Sequence, residues 1–114
     1  MPRVVHFEYT VDDPERAIVF YQNVFGWKIQ EWDGPVDYSL ITTGEEGGSG
    51  IDGALMFRAE GMPNVINTVD VADLDALIAV VESNGGKITA PRMSIPGVGF
   101  FVYALDSEAA AKNT

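Results

Sequence analysis

Over residues 4–11 apolar and polar side chains alternate. Val5, Phe7, Tyr9 and Val11 share one face; His6, Glu8 and Thr10 share the other. Period two is the signature of a half-buried strand. The period then lengthens. Asp13 followed by Pro14 reads as a helix cap and first turn, because proline lacks only an N–H that the first turn leaves unpaired anyway. Ala17, Ile18, Tyr21, Val24 and Phe25 form one helical stripe, and Gly26 ends it. Residues 27–32 and 38–43 predict two strands about an Asp33-Gly34-Pro35 turn. A glycine-rich loop over 44–50 leads to a fourth strand at 51–57.

The order then begins again. A strand is predicted at 65–71 and a helix capped by Asp73, with Leu74, Leu77, Ile78 and Val81 as its stripe and Asn84-Gly85-Gly86 as its stop. Asp13 is answered by Asp73 and Gly26 by Gly86, an offset of 60 residues. Lys87 to Ala90 starts a strand that Pro91 is expected to interrupt. Ser94-Ile95-Pro96-Gly97 then turns the chain toward a strand at 98–105. Ala109-Ala110-Ala111-Lys112 favours a helical turn over a further strand. The expected fold is α+β: a single domain over 1–114 made of two tandem βαβββ modules, 4–58 and 64–108, the second lacking its final strand. Gly61-Met62-Pro63 is the short link between them.

Composition narrows the function. A chain of 114 residues, 46% apolar, can bury a core without staples. Without cysteine, thiolate metal sites and a cysteine nucleophile are excluded. Seventeen acidic against seven basic residues give a net charge of −10, and no basic stripe is present, so nucleic acid is not an expected partner. No apolar run approaches the ~18 residues of a membrane span, and the first residues hold no signal-like apolar segment, so the expected location is cytoplasmic.

Candidate chemistry gathers on the polar face of the first strand. His6 and Glu8 lie two positions apart, ~6–7 Å along a strand. Buried together they make an acid–base pair, and exposed to solvent they amount to little. Glu45 and Glu46 sit in the glycine-rich loop, most simply a solvated loop and otherwise a lid over a cleft. Phe7, Tyr9, Phe20, Tyr21 and Phe25 are expected in the core between helix and sheet.

The run from His6 through Thr10-Val11-Asp12-Asp13-Pro14-Glu15-Arg16-Ala17, Phe20-Tyr21 and Val24-Phe25-Gly26-Trp27 resembles the opening module of the glyoxalase/bleomycin-resistance/extradiol-dioxygenase group, the vicinal oxygen chelate superfamily. Val71-Ala72-Asp73-Leu74-Asp75 and Asn84-Gly85-Gly86-Lys87 resemble the start of its second module. Pro96-Gly97-Val98-Gly99-Phe100-Phe101 with Asp106-Ser107-Glu108 resembles the approach to its last strand. The likeness implies paired modules around a central cleft, where many members hold a divalent metal. His6 matches the family's first ligand position. Ile66 stands at the matching position of the second module, the fourth-strand carboxylate position falls on Gly53 or Ala54, and a last-strand ligand is not found. Asp52 would serve only after a register slip. No metal and no other cofactor is therefore expected. The expected function is metal-independent binding of a small hydrophobic or aromatic molecule. The cleft is expected to draw on His6, Glu8, Thr10, Tyr38, Phe57, Thr68, Met93 and Phe100. A homodimer is expected to cover the open sheet edge. The alternatives are a superfamily lyase, isomerase or dioxygenase with a divalent metal, and an interaction module that uses that edge.

Overall fold

The computed structural model describes residues 2–32, 38–95 and 99–112. The turn expected at Asp33-Gly34-Pro35 lies outside them, as do Pro96 and Gly97 of the second expected turn. The chain divides into two compact units, Met1–Asp70 and Val71–Thr114.

The first unit runs β1 (Arg3–Val11), α1 (Pro14–Phe25), β2 (Lys28–Glu31), β3 (Ser39–Thr42), β4 (Gly53–Phe57) and β5 (Val65–Asp70). These strands form one mixed sheet in the order β2-β3-β4-β1-β5. Strand β1 is parallel to β4 and antiparallel to β5, while β2–β3 and β3–β4 are antiparallel. The boundary between the compact units falls after β5. In the register of β1 with β5, Phe7 faces Asn67.

Helix α1 starts where Asp13 accepts a hydrogen bond from the Arg16 N–H at 3.2 Å. It ends at Gly26, which adopts φ 71° and donates its N–H to Gln22. That left-handed geometry suits a residue without a β-carbon. Pro14, Ala17, Ile18 and Tyr21 are the half-buried positions of α1. Tyr21 stacks on Tyr9 at 5.2 Å and on Trp27 at 5.4 Å. Beneath this aromatic layer Ile41 and Leu55 are fully buried. Phe20 and Phe25, expected in the core, are 55% and 57% exposed. Phe25 belongs to the exposed end of the expected stripe, with Val24, and stacks on Trp27, while Phe20 lies beside the stripe and meets Tyr21 edge-on.

Strand β4 begins two residues later than its apolar pattern suggests. Asp52 is engaged at the base of the glycine-rich loop, where its carboxylate accepts from the Thr43 N–H at 2.8 Å and the Thr43 hydroxyl at 3.2 Å. Gly53 then opens β4 directly against Phe7.

The second unit holds α2 (Leu74–Ser83), β6 (Lys87–Ile95), β7 (Gly99–Leu105) and α3 (Ser107–Lys112). Asp73 caps α2 through the Ala76 N–H at 3.1 Å, repeating the Asp13 cap. Strands β6 and β7 make a two-stranded antiparallel ribbon. Contrary to expectation, β6 continues through Pro91. The register shifts between Ala90 and Met93, so proline falls in an irregularity of the ladder, where it removes no required hydrogen bond. The Ala109–Lys112 stretch is helical, as its alanines suggest, with Asp106 accepting from the Ala109 N–H at 2.8 Å.

Candidate functional site

The face of the first unit's sheet opposite α1 is set by register. Glu8 lies beside Ala54 on one side and Ile66 on the other, and His6 lies opposite Thr68. Thr10 pairs with Met56, and Leu40 pairs with Ala54. Directly paired residues share a face. This surface therefore joins His6, Glu8 and Thr10 to Thr68, with Leu40, Ala54, Met56 and Ile66 as apolar neighbours.

Tyr38 completes it. Its hydroxyl donates to Glu8 Oε2 at 2.6 Å and lies 3.0 Å from His6 Nε2. The short distance to Glu8 marks a charge-assisted bond. A phenol has one proton; with that proton on the bond to Glu8, the tautomer of His6 that suits the contact carries its hydrogen on Nε2. The result is an ordered chain from His6 through Tyr38 to Glu8. Glu8 is only 5% exposed, whereas His6 is half-buried and stands at the accessible end. The ring of Trp32 meets Tyr38 edge-on at 5.7 Å.

The remaining expected cleft residues have other surroundings. Thr10 is fully buried, and its hydroxyl donates to the Pro63 carbonyl and accepts from Arg58 Nε. Arg58 also donates to the Thr10 carbonyl at 2.7 Å and to Asp12 at 2.9 Å. These bonds make Thr10 a structural tie between β1 and the segment leading into β5. Phe57 pairs with Val11, which puts it on the α1 side of the sheet. In the second unit Met93 pairs with Phe101 and Phe100 with Ser94, so Met93 and Phe100 occupy opposite faces of their ribbon. The Arg92 guanidinium lies over the Phe100 ring at 4.1 Å and 3.5 Å from Asp75.

Each unit has a hollow beside the start of its first helix. The first, about 420 Å³, adjoins Asp13, Arg16 and Arg58 at the start of α1. The second, about 360 Å³, adjoins Asp73, Asp75 and Arg92 at the start of α2.

Among the described residues, no three His, Asp or Glu side chains converge as a metal centre requires. The donor set around His6 does not fit one. The His6 Nε2 is turned to a phenol, Ala54 and Ile66 flank Glu8, and Asp52 is held by Thr43. No helix of the described residues is long and apolar enough to cross a membrane.

Residues 3–44 match the family model for the N-terminal part of bleomycin-resistance-like proteins. The chain is 33% identical over 106 residues to a glyoxylase-like domain-containing protein of Didymella fabae, covering 89% of this chain and 83% of that one. It is 32% identical over 105 residues to CFP32 of Mycobacterium bovis and Mycobacterium tuberculosis, whose name provisionally assigns it to the glyoxylases. That match covers 87% of this chain, which spans 40% of the length of CFP32.

Proposed function

The chain belongs to the glyoxalase/bleomycin-resistance superfamily, and we propose that within it the protein binds a small hydrophobic or aromatic molecule without a metal. The reading rests on the hydrogen-bonded chain of His6, Tyr38 and Glu8 set among Leu40, Ala54, Met56 and Ile66. A buried carboxylate linked to a phenol and an imidazole gives an orienting polar point. Of the apolar neighbours Ala54 is fully buried, and the half-buried Leu40, Met56 and Ile66 supply area for a flat ligand body. In this reading the architecture is two βαβββ modules, the second without its last strand, and the protein is a cytoplasmic homodimer.

The absence of a metal in the working protein is supported by the donor set. The His6 Nε2 is engaged with the Tyr38 hydroxyl, and the flanking alanine and isoleucine contribute no ligand. Equilibrium dialysis against Zn²⁺, Ni²⁺, Mn²⁺ and Fe²⁺ is expected to leave no stoichiometric metal. A metal retained in proportion to protein and lost in His6→Ala would overturn the reading. Binding itself is tested by a thermal-shift screen of aromatic and aliphatic compounds. Occupancy of the folded state raises the melting temperature whatever the chemistry. Compounds that stabilise the protein should lose that effect in Tyr38→Phe or His6→Gln, and equal shifts in the variants would place binding elsewhere. Light scattering tests the dimer, and a monomer at high concentration would refute it.

A further inference from the structure

We propose that Asn84-Gly85 is a self-modifying site. The asparagine converts through a cyclic imide to a mixture of aspartate and isoaspartate, and the conversion undoes the stop of α2. The site is independent of the binding surface proposed above.

The sequence singles the pair out. Asn23 and Asn64 precede valine, and Asn67 and Asn113 precede threonine, whereas Asn84 precedes glycine. Ring closure joins the backbone nitrogen of the following residue to the side-chain carbon of the asparagine. A β-branched neighbour crowds that nitrogen, and glycine leaves it open. Asn84 and Gly85 are both exposed, so water and base reach them.

The fold explains why a glycine stands there. Gly85 adopts φ 89° beyond the last turn of α2, a conformation that a β-carbon disfavours. The Gly86 N–H donates to the Val81 carbonyl at 2.9 Å and the Gly85 N–H to the Glu82 carbonyl at 3.3 Å, the paired bonds of a left-handed helix stop. The Asn84 side-chain amide adds a third, donating to the Val80 carbonyl at 2.8 Å. The residues that end the helix are thus the residues that react.

The same bonds hold the reacting atoms apart. Ring closure needs the Gly85 nitrogen nearly eclipsed with the Asn84 β-carbon, and a ψ of 18° at Asn84 sets it well away. That nitrogen is also bonded to Glu82, and the side-chain amide to Val80. Conversion therefore proceeds through fraying of the last turn of α2, where a helix opens most easily.

The step balances with water as the one co-reactant. The Gly85 nitrogen gives up its proton and bonds to the Asn84 side-chain carbonyl carbon. The C–N bond of the side-chain amide breaks, and ammonia leaves with that proton. Water then opens the imide at either carbonyl. One opening gives aspartate; the other gives isoaspartate, whose main chain runs through the former side chain and is one carbon longer. Either product lacks the amide donor to Val80 and sets a carboxylate at the negative end of the α2 dipole. The longer main chain cannot be absorbed in place. A β-carbon on Gly86 would lie 2.6 Å from Val81 Cγ1 and 2.8 Å from the Leu105 carbonyl oxygen, so a displaced turn must part α2 from β7.

The test holds the intact chain in mildly alkaline buffer, natively and in concentrated urea. Peptide mass mapping follows each asparagine, and enzymatic methyl labelling counts isoaspartate. Asn84 should convert while Asn23, Asn64, Asn67 and Asn113 stay intact over the same time, and urea should speed it by on the order of tenfold. Earlier conversion at another asparagine, or none at Asn84 even in urea, would overturn the site. Equal rates natively and in urea would overturn the restraint by the helix stop. Aged protein, separated from the unmodified form by charge, should melt lower by on the order of 4 °C. Asn84→Asp, made directly, should also melt lower, and equal melting of aged and unmodified chains would overturn the link to α2.

Discussion

At the scale of single residues, the sheet is most tightly specified where Gly53 opens β4 beside Phe7. A β-carbon there would lie 2.5 Å from the Phe7 ring and 2.5 Å from the Phe7 carbonyl oxygen. The ring could turn aside, but the carbonyl belongs to the parallel β1–β4 ladder and cannot. Gly53→Ala is therefore expected to cost about 1–3 kcal/mol, the usual range for overpacking. Gly44 has nothing within 4 Å of its virtual β-carbon, so Gly44→Ala should stay within about 0.5 kcal/mol of the native protein. Urea denaturation of both variants measures the difference, and equal stabilities would contradict the packing at Gly53. The same ladder shows what a sequence can disclose about a site. His6 and Glu8 share a face because alternation along one strand is local, and the sequence states it outright. Tyr38 as their bridge is a consequence of β1–β4–β3 pairing across 30 positions, which no local pattern carries. The opposite placement of Phe57 is likewise a matter of register, because one residue's difference reverses the face.

At the scale of elements, the helix ends were the most legible feature because their chemistry is contained in three or four residues. Asp13 and Asp73 each hold the N–H three positions on, at 3.2 and 3.1 Å. Replacing either by alanine leaves that N–H to solvent and should cost about 1 kcal/mol. Because the two caps belong to different units and share no partner, their effects should add in the double variant. Chemical denaturation followed by circular dichroism checks this, and a double variant no weaker than either single one would refute it. Strand continuity was harder to read. Pro91 looks like an interruption because proline removes a donor, yet β6 absorbs it in a register shift. Whether a missing N–H matters depends on whether a partner strand asks for it, and that is settled by pairing, not by the residue. The exposure of Phe20 and Phe25 has a similar origin. A helical stripe wide enough to include them is wider than the contact that one helix makes with a sheet.

At the scale of the whole molecule, a net charge of −10 and the aromatic layer over β1 act together at high pH. Burial raises the ionisation of the Tyr21 phenol above its ordinary 10.0, and the neighbouring Tyr9 raises it further. Below 10.0 both folded and unfolded chains hold this proton, and the contribution to stability is whole. Above it the unfolded chain gives up the proton first, so each further rise in pH favours unfolding until the folded phenol ionises as well. Stability should therefore decline as pH climbs from 10.0 through the raised value, on a molecule whose other charges already repel. Tyr21→Phe keeps the ring that stacks on Tyr9 and Trp27 but has no proton to lose. Its stability should be close to native at neutral pH and should fall less steeply in alkali. The comparison requires denaturation curves for both proteins from neutral to alkaline pH, with spectrophotometric titration of tyrosinate alongside. Parallel declines in the two proteins would locate the alkaline weakness in general charge repulsion and remove Tyr21 from the explanation.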